Sequence, residues 1–222
     1  MRNFGSVILK EILVVKRAGY EAFYPIIYLF IIMMFFNISL SYVGAETIKS
    51  LIPQMIWISC LLISVLNIEN IFKDDYDDGT LEIILMNNKN LQINILAKVF
   101  SHWIISNAPI VIFAPLISLV LGISLENTVV LFLSLLIGTP TLSLIGSIVA
   151  ALTVSLKRNK IITSIIVFPL YVPILIFGAS AINNSYFSLS YNSEFLLMGI
   201  LFLIFLLISP IVSAKALMIS ID

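Results

Sequence analysis

The chain has 222 residues, with 12 basic and 12 acidic side chains and one histidine, so its net charge at neutral pH is zero. Hydrophobic residues make up 60% of it and charged residues 11%, and the mean hydropathy is +1.13, which leaves too little polar surface to coat a soluble globule of this size. The composition is that of an integral membrane protein, and no nucleic-acid partner is expected.

Along residues 2–17, polar Asn3, Ser6, Lys10 and Arg17 recur at helical spacing, opposite an apolar stripe of Phe4, Ile8, Ile12 and Val15. Two readings stand for this segment: an amphipathic helix lying in the cytoplasmic interface, or a basic flank that sets topology. Six apolar runs follow, Ala22 to Val43, Ser50 to Asn70, Val99 to Leu121, Thr128 to Val154, Ile161 to Ile182 and Phe195 to Leu217. Each is long enough to cross a bilayer as a helix of about 20 residues. Strands of a membrane barrel would be about half that length and alternate in polarity. The expected fold is therefore an all-α integral membrane protein of six transmembrane helices in a single domain, residues 1–222. Small residues at Val43-Gly44-Ala45 resemble a signal cleavage site. The preceding run is long for a signal peptide, so the first span is expected to be retained.

Eleven of the twelve basic residues, all but Lys49, fall on one side of this span pattern. By the positive-inside rule that side is cytoplasmic, and both termini are expected there. The loops expected on the other side, Gly44 to Lys49, Gly122 to Asn127 and Asn183 to Glu194, are too short for a folded domain.

Between spans two and three lies the most unusual stretch of the chain. Six of the twelve acidic residues fall between Glu69 and Glu82. Gly79 ends an acidic turn, Thr80 can cap, and Leu81 to Met86 has the composition of a short helix. This segment is either a short helix across the membrane face that a soluble partner pushes, or a solvated loop. Glu69, at the end of span two, either pairs locally or joins that docking surface.

Several chemistries are absent from the sequence. No Gly-rich phosphate loop is present, so the chain is not expected to hydrolyse ATP. No His, Cys and carboxylate set has metal-ligand spacing, and no nucleophile is paired with a base. Cys60, the sole cysteine, falls within span two and reads as a small buried hydrophobe. His102, beside Trp103 near the cytoplasmic end of span three, reads as an interfacial belt residue, with haem ligation or proton relay as the alternative. Met33, Met34 and Met55 read as packing residues. Gly138 and Pro140 in span four, and Pro169 and Pro173 in span five, are expected to permit bends and conformational change. The alternative is that proline is simply common in membrane helices.

Gly79-Thr80-Leu81-Glu82 followed by Lys98 resembles the pattern after the second span of type-2 ABC exporter permeases, whose short coupling helix contacts a partner ATPase. A longer set of residues is similar to the haem exporter protein B (cytochrome c maturation protein B) family. It comprises Glu69, Phe72-Lys73-Asp74-Asp75, Asp78 to Glu82, Ala97-Lys98-Val99, His102-Trp103, Gly138-Thr139-Pro140-Thr141, Ala151 to Val154, Leu156-Lys157-Arg158, Pro169-Leu170, Pro173 and Ser209-Pro210. The likeness covers essentially the whole chain. Asn87-Asn88-Lys89-Asn90 departs from it, where the family often has a proline-bearing turn.

The resemblance implies a non-catalytic permease subunit of the bacterial inner membrane, or of the inner membrane of a mitochondrion. Its implied partners are the other cytochrome c maturation proteins: the ATP-binding protein A, the haem-handling membrane protein C, the small membrane protein D and the haem chaperone E. The implied complex contains a homodimer of this chain. ATP and magnesium would belong to the ATP-binding partner, and haem would be a transported or handled ligand. Glu69, Asp74, Asp75, Asp78, Gly79, Thr80, Leu81 and Glu82 are the implied ATPase-coupling residues. The alternatives are a type-2 permease for lipid, polysaccharide or drug, and a passive membrane scaffold.

Overall fold

The computed structural model describes residues 23–40, 42, 44–86, 91–156 and 159–221. The amphipathic segment expected over residues 2–17 lies outside them, as do Asn87-Asn88-Lys89-Asn90 and Lys157-Arg158. Among the described residues the structure is helical and has no strand: α1 Tyr24–Ser39, α2 Ala45–Asn67, α3 Asn70–Asp77, α4 Thr80–Met86, α5 Leu91–Ser106, α6 Ala108–Val120, α7 Leu125–Thr153, α8 Asn159–Tyr186 and α9 Asn192–Ile221. Helices satisfy every backbone group within the segment, the condition that lipid imposes.

Among the described residues, five stretches are long and apolar enough to cross a membrane: Thr47–Asp77, Leu91–Val120, Leu125–Thr153, Ile161–Tyr186 and Asn192–Ser220. The first apolar helix, α1, is 16 residues long, about 24 Å at 1.5 Å per residue. That is less than the roughly 30 Å of a hydrocarbon core, so among the described residues five long spans and one shorter apolar helix stand where six spans were expected.

Two boundaries differ from the sequence reading. The second span does not stop at Asn70, because burial of Ile71 and Phe72 keeps the chain packed through α3. The third begins at Leu91 rather than Val99, since Leu91, Ile95 and Ala97 are buried. It is also interrupted at Asn107, between α5 and α6.

Helix α7 is the centre of the bundle, packed on α9, α8, α6 and α5. Its buried face includes Ser134, Thr139, Thr141, Ser143 and Ser147, small polar residues that let neighbouring backbones approach closely in lipid. The Ser147 hydroxyl donates to the Leu144 carbonyl of its own helix at 2.8 Å, and also lies 2.9 Å from Ser209 Oγ and 3.3 Å from Ser213 Oγ on α9. Thr153 and Thr163 join α7 to α8 in the same way, at 2.5 Å. The fully buried Trp57 indole is a wedge between α2, α7 and α8. A Cβ at Gly138 or Gly178 would lie 2.3 or 2.2 Å from its ring, so any larger residue at either position forces the ring to shift.

The bundle has two polar ends. At one, Ser185 donates to Asn127 Oδ1 at 2.7 Å and Asn184 to Glu194 Oε1 at 2.8 Å. At the other, Lys73 Nζ reaches the Val154 carbonyl at 3.4 Å and Ser220 the Ala151 carbonyl. The acidic segment belongs to this second end.

Candidate functional site

The acidic segment is a hairpin of two short helices, α3 and α4, rather than a loop. Asp78 closes α3 through bonds from its own N–H to Asp74 O and from Gly79 N–H to Tyr76 O. Gly79 then adopts φ +69°, a left-handed helix-ending conformation that favours glycine. Thr80 is the first helical residue of α4, not its cap. Its hydroxyl lies 3.2 Å from Asp75 Oδ1 and 3.3 Å from the Asp75 carbonyl, fastening α4 back onto α3.

Burial divides the expected coupling residues into two groups. Leu81 is buried, Asp75, Gly79, Thr80 and Glu69 are half-buried, and Asp74, Asp78 and Glu82 are exposed. Asp77, Ile83 and Met86 are exposed beside them. The first group forms the hairpin's framework; the second is its outward face, acidic with an apolar edge.

Two lysines hold α3. Lys98 of α5 forms an ion pair with Asp75, both side chains being mostly covered at 14% and 15% exposure. Lys73 pairs with Asp77 at 3.0 Å one turn along the same helix, but Asp77 is 58% exposed. An exposed i,i+4 pair contributes about 0.3–0.5 kcal/mol. Removing one partner of a covered pair costs more, because the remaining charge is left desolvated. Asp75–Lys98 is therefore the pair that fixes the hairpin. Lys73 also lies 4.9 Å from the centre of the Tyr76 ring.

One turn further along α5, His102 Nε2 lies 3.0 Å from the Asn67 carbonyl and 3.1 Å from Ser106 Oγ. A carbonyl only accepts, so Nε2 carries the proton and Nδ1 of the neutral ring is the bare nitrogen. Nδ1 is buried without a partner. His102 thus satisfies the backbone carbonyl at the end of α2. Trp103, its neighbour, donates from Nε1 to Thr139 Oγ1 at 2.8 Å and stacks on Phe100 at 5.5 Å. Trp103 lines an apolar cleft of about 340 Å³ together with Phe100, Pro140, Ser143 and Phe202; His102 is not among its lining residues.

Asn107, at the break between α5 and α6, accepts from Ser64 Oγ at 2.7 Å and donates to Ser143 Oγ at 3.2 Å, joining α2 to α7. Pro140, Pro169 and Pro173 sit inside continuous helices. Sequence reasoning missed the positioning role of Lys98, the exposure of Asp77, and Asn107 altogether. The lysine's signal was an isolated cation between the apolar residues Ala97 and Val99.

No group of three or more potential metal ligands is found among the described residues. Fold and site together define a polytopic all-α membrane protein that gathers its acidic groups on a braced hairpin at one end of the bundle. The chain matches the CcmB protein family over residues 2–220 and belongs to it. It is 35% identical over 224 residues to Heme exporter protein B of Pseudomonas aeruginosa, covering 100% of this chain and 99% of the relative. Similarity to Heme exporter protein B of Escherichia coli K12 is 34% over 221 residues, covering 99% of each. With the Haemophilus influenzae protein of the same name it is 31% over 219 residues, again 99% of each.

Proposed function

We propose that this chain is the permease component of an ABC-type haem-export complex for cytochrome c maturation, and that it transmits ATP hydrolysis by a partner to haem handling and to release of the haem-loaded chaperone. Family membership and the name shared by its relatives support haem as the handled molecule. The observation that carries the coupling role is the hairpin itself. Its exposed face presents Asp74, Asp78 and Glu82, while Asp75 is anchored through Lys98 to a long apolar helix. A solvated loop would need no such anchor.

On this reading the ATP-binding maturation protein A docks on the acidic face, and the membrane proteins C and D and chaperone E assemble around the bundle. ATP and magnesium are held by the docked ATPase, and this chain supplies no catalytic group. Both termini and the hairpin face the cytoplasm of a bacterium whose inner membrane holds the complex. Two copies of the chain serve the paired ATP sites. Pro140, Pro169 and Pro173 are the points at which the spans bend.

The test is the amount of haem-loaded chaperone held on the purified complex before and after ATP, for the native chain, Asp78→Lys and Glu82→Lys. Reversing an interfacial charge costs several kcal/mol, so release in the variants is expected to fall at least about tenfold while the complex still assembles. Normal release by assembled variants would leave a passive scaffold as the better reading.

A further inference from the structure

The joint between α2 and α3 is weak in its own backbone. Ile71 N–H turns to the Ile68 carbonyl at 3.3 Å, a three-residue bond, and Lys73 N–H meets Glu69 O at 3.3 Å, both longer than the usual 2.9–3.0 Å or so. The Asn67 carbonyl, at the last residue of α2, is met instead by His102 from α5. A hairpin connected to the bundle through this joint alone would swing without moving α2.

Helix α5 bridges the joint. Lys98, His102 and Ser106 are spaced four apart and share one face. Lys98 holds Asp75 beyond the joint, and His102 holds Asn67 before it. Ser106 lies against His102, and the next residue, Asn107, is bonded to Ser64 on α2 and Ser143 on α7. A polar ladder thus runs along α5 from the hairpin into the central helix.

We propose that α5 is the splint through which the acidic hairpin moves the bundle, with Lys98 and His102 as its positioning residues. This rests on the coupling reading above and gives it a route through α5 to α7, beside the direct contact that Lys73 makes with Val154 at the end of α7. Lys98 transmits it as an ion pair, and His102 keeps the α2 end from yielding as the hairpin is pressed.

The test uses the full chain in its complex, with spin labels at the exposed positions Ile83 on α4 and Ile112 on α6. The native distance distribution is expected to be narrow. Lys98→Met and His102→Leu are expected to broaden it and to cut chaperone released per ATP hydrolysed about tenfold, a loss equivalent to about 1.4 kcal/mol. His102→Gln, which keeps an N–H donor, should recover most of both, as should the reversed pair Asp75→Lys with Lys98→Asp. An unchanged distribution, or a broadened one with native release per ATP, overturns the splint. If Glu82→Lys abolishes release while the two α5 variants do not, only the splint fails; if Glu82→Lys also releases normally, the coupling reading fails with it.

Discussion

Gly178→Ala adds one methyl group where three helices crowd around a single indole. The new Cβ would lie 2.2 Å from Trp57 Cζ2 and 2.3 Å from Cε2, so the ring must retreat by about 1.2 Å to reach the 3.4 Å or more of ordinary contact. Retreat is obstructed, because the ring also abuts Gly138 on α7 and its Nε1 donates to Ser134 Oγ at 3.2 Å. Overpacking of this kind costs about 1–3 kcal/mol. Replacing a helical glycine by alanine returns up to about 1 kcal/mol. Gly199 on α9 is the matched control, since an added Cβ there meets nothing within 4 Å and only the gain applies. The two variants are therefore expected to differ by about 1–3 kcal/mol, roughly 5- to 150-fold in the folding equilibrium. Detergent-micelle unfolding by SDS titration, followed by near-ultraviolet circular dichroism, measures that gap. A Gly178→Ala protein as stable as Gly199→Ala would refute the wedge. Trp57→Phe should partly rescue Gly178→Ala, so that the double variant is more stable than the sum of the singles.

Asn107→Leu removes both side-chain hydrogen bonds that join α2 to α7. Each such bond in a membrane bundle is worth about 0.6 kcal/mol on average, so the same titration should register a loss of about 1 kcal/mol, and no loss would mean that the bonds are incidental. For topology, cysteines placed at Tyr42 and Leu189 should react with a membrane-impermeant maleimide in intact cells stripped of their outer membrane. Cysteines at Asp78 and Met86 should react only after permeabilisation, while Cys60 stays silent because it is buried. Labelling of Met86→Cys from outside would invert the orientation.

Spans four to six were legible because lipid demands long apolar helices and their ends carry charges or turn residues. The second and third spans were misjudged by up to eight residues at one end, from Val99 back to Leu91, because Lys98 looked like a loop residue. Its charge is neutralised by Asp75, 23 positions away in sequence, and no local pattern announces such a pairing. The position of Gly79 as a helix terminator was readable from its residue type alone. His102 was not: its partner is a backbone carbonyl, made available by a break at Ile68–Glu69 that has neither proline nor glycine to mark it. Asn107 was passed over for a similar reason, since a lone amide in an apolar run gains meaning only from the two serines opposite.

The hydroxyl seam between α7 and α9 has a mechanical consequence. Ser147 donates its one proton to the Leu144 carbonyl of its own helix, so at the seam its oxygen accepts from Ser209 and Ser213, and parting the helices takes the acceptor from both donors. One oxygen facing two hydroxyls a turn apart resists separation of the helices, yet a slide along the axis can exchange one partner for the other. Helix α9 therefore sits on the central helix as on a two-toothed latch, held by close approach and by the hydroxyls it presents to Ser147.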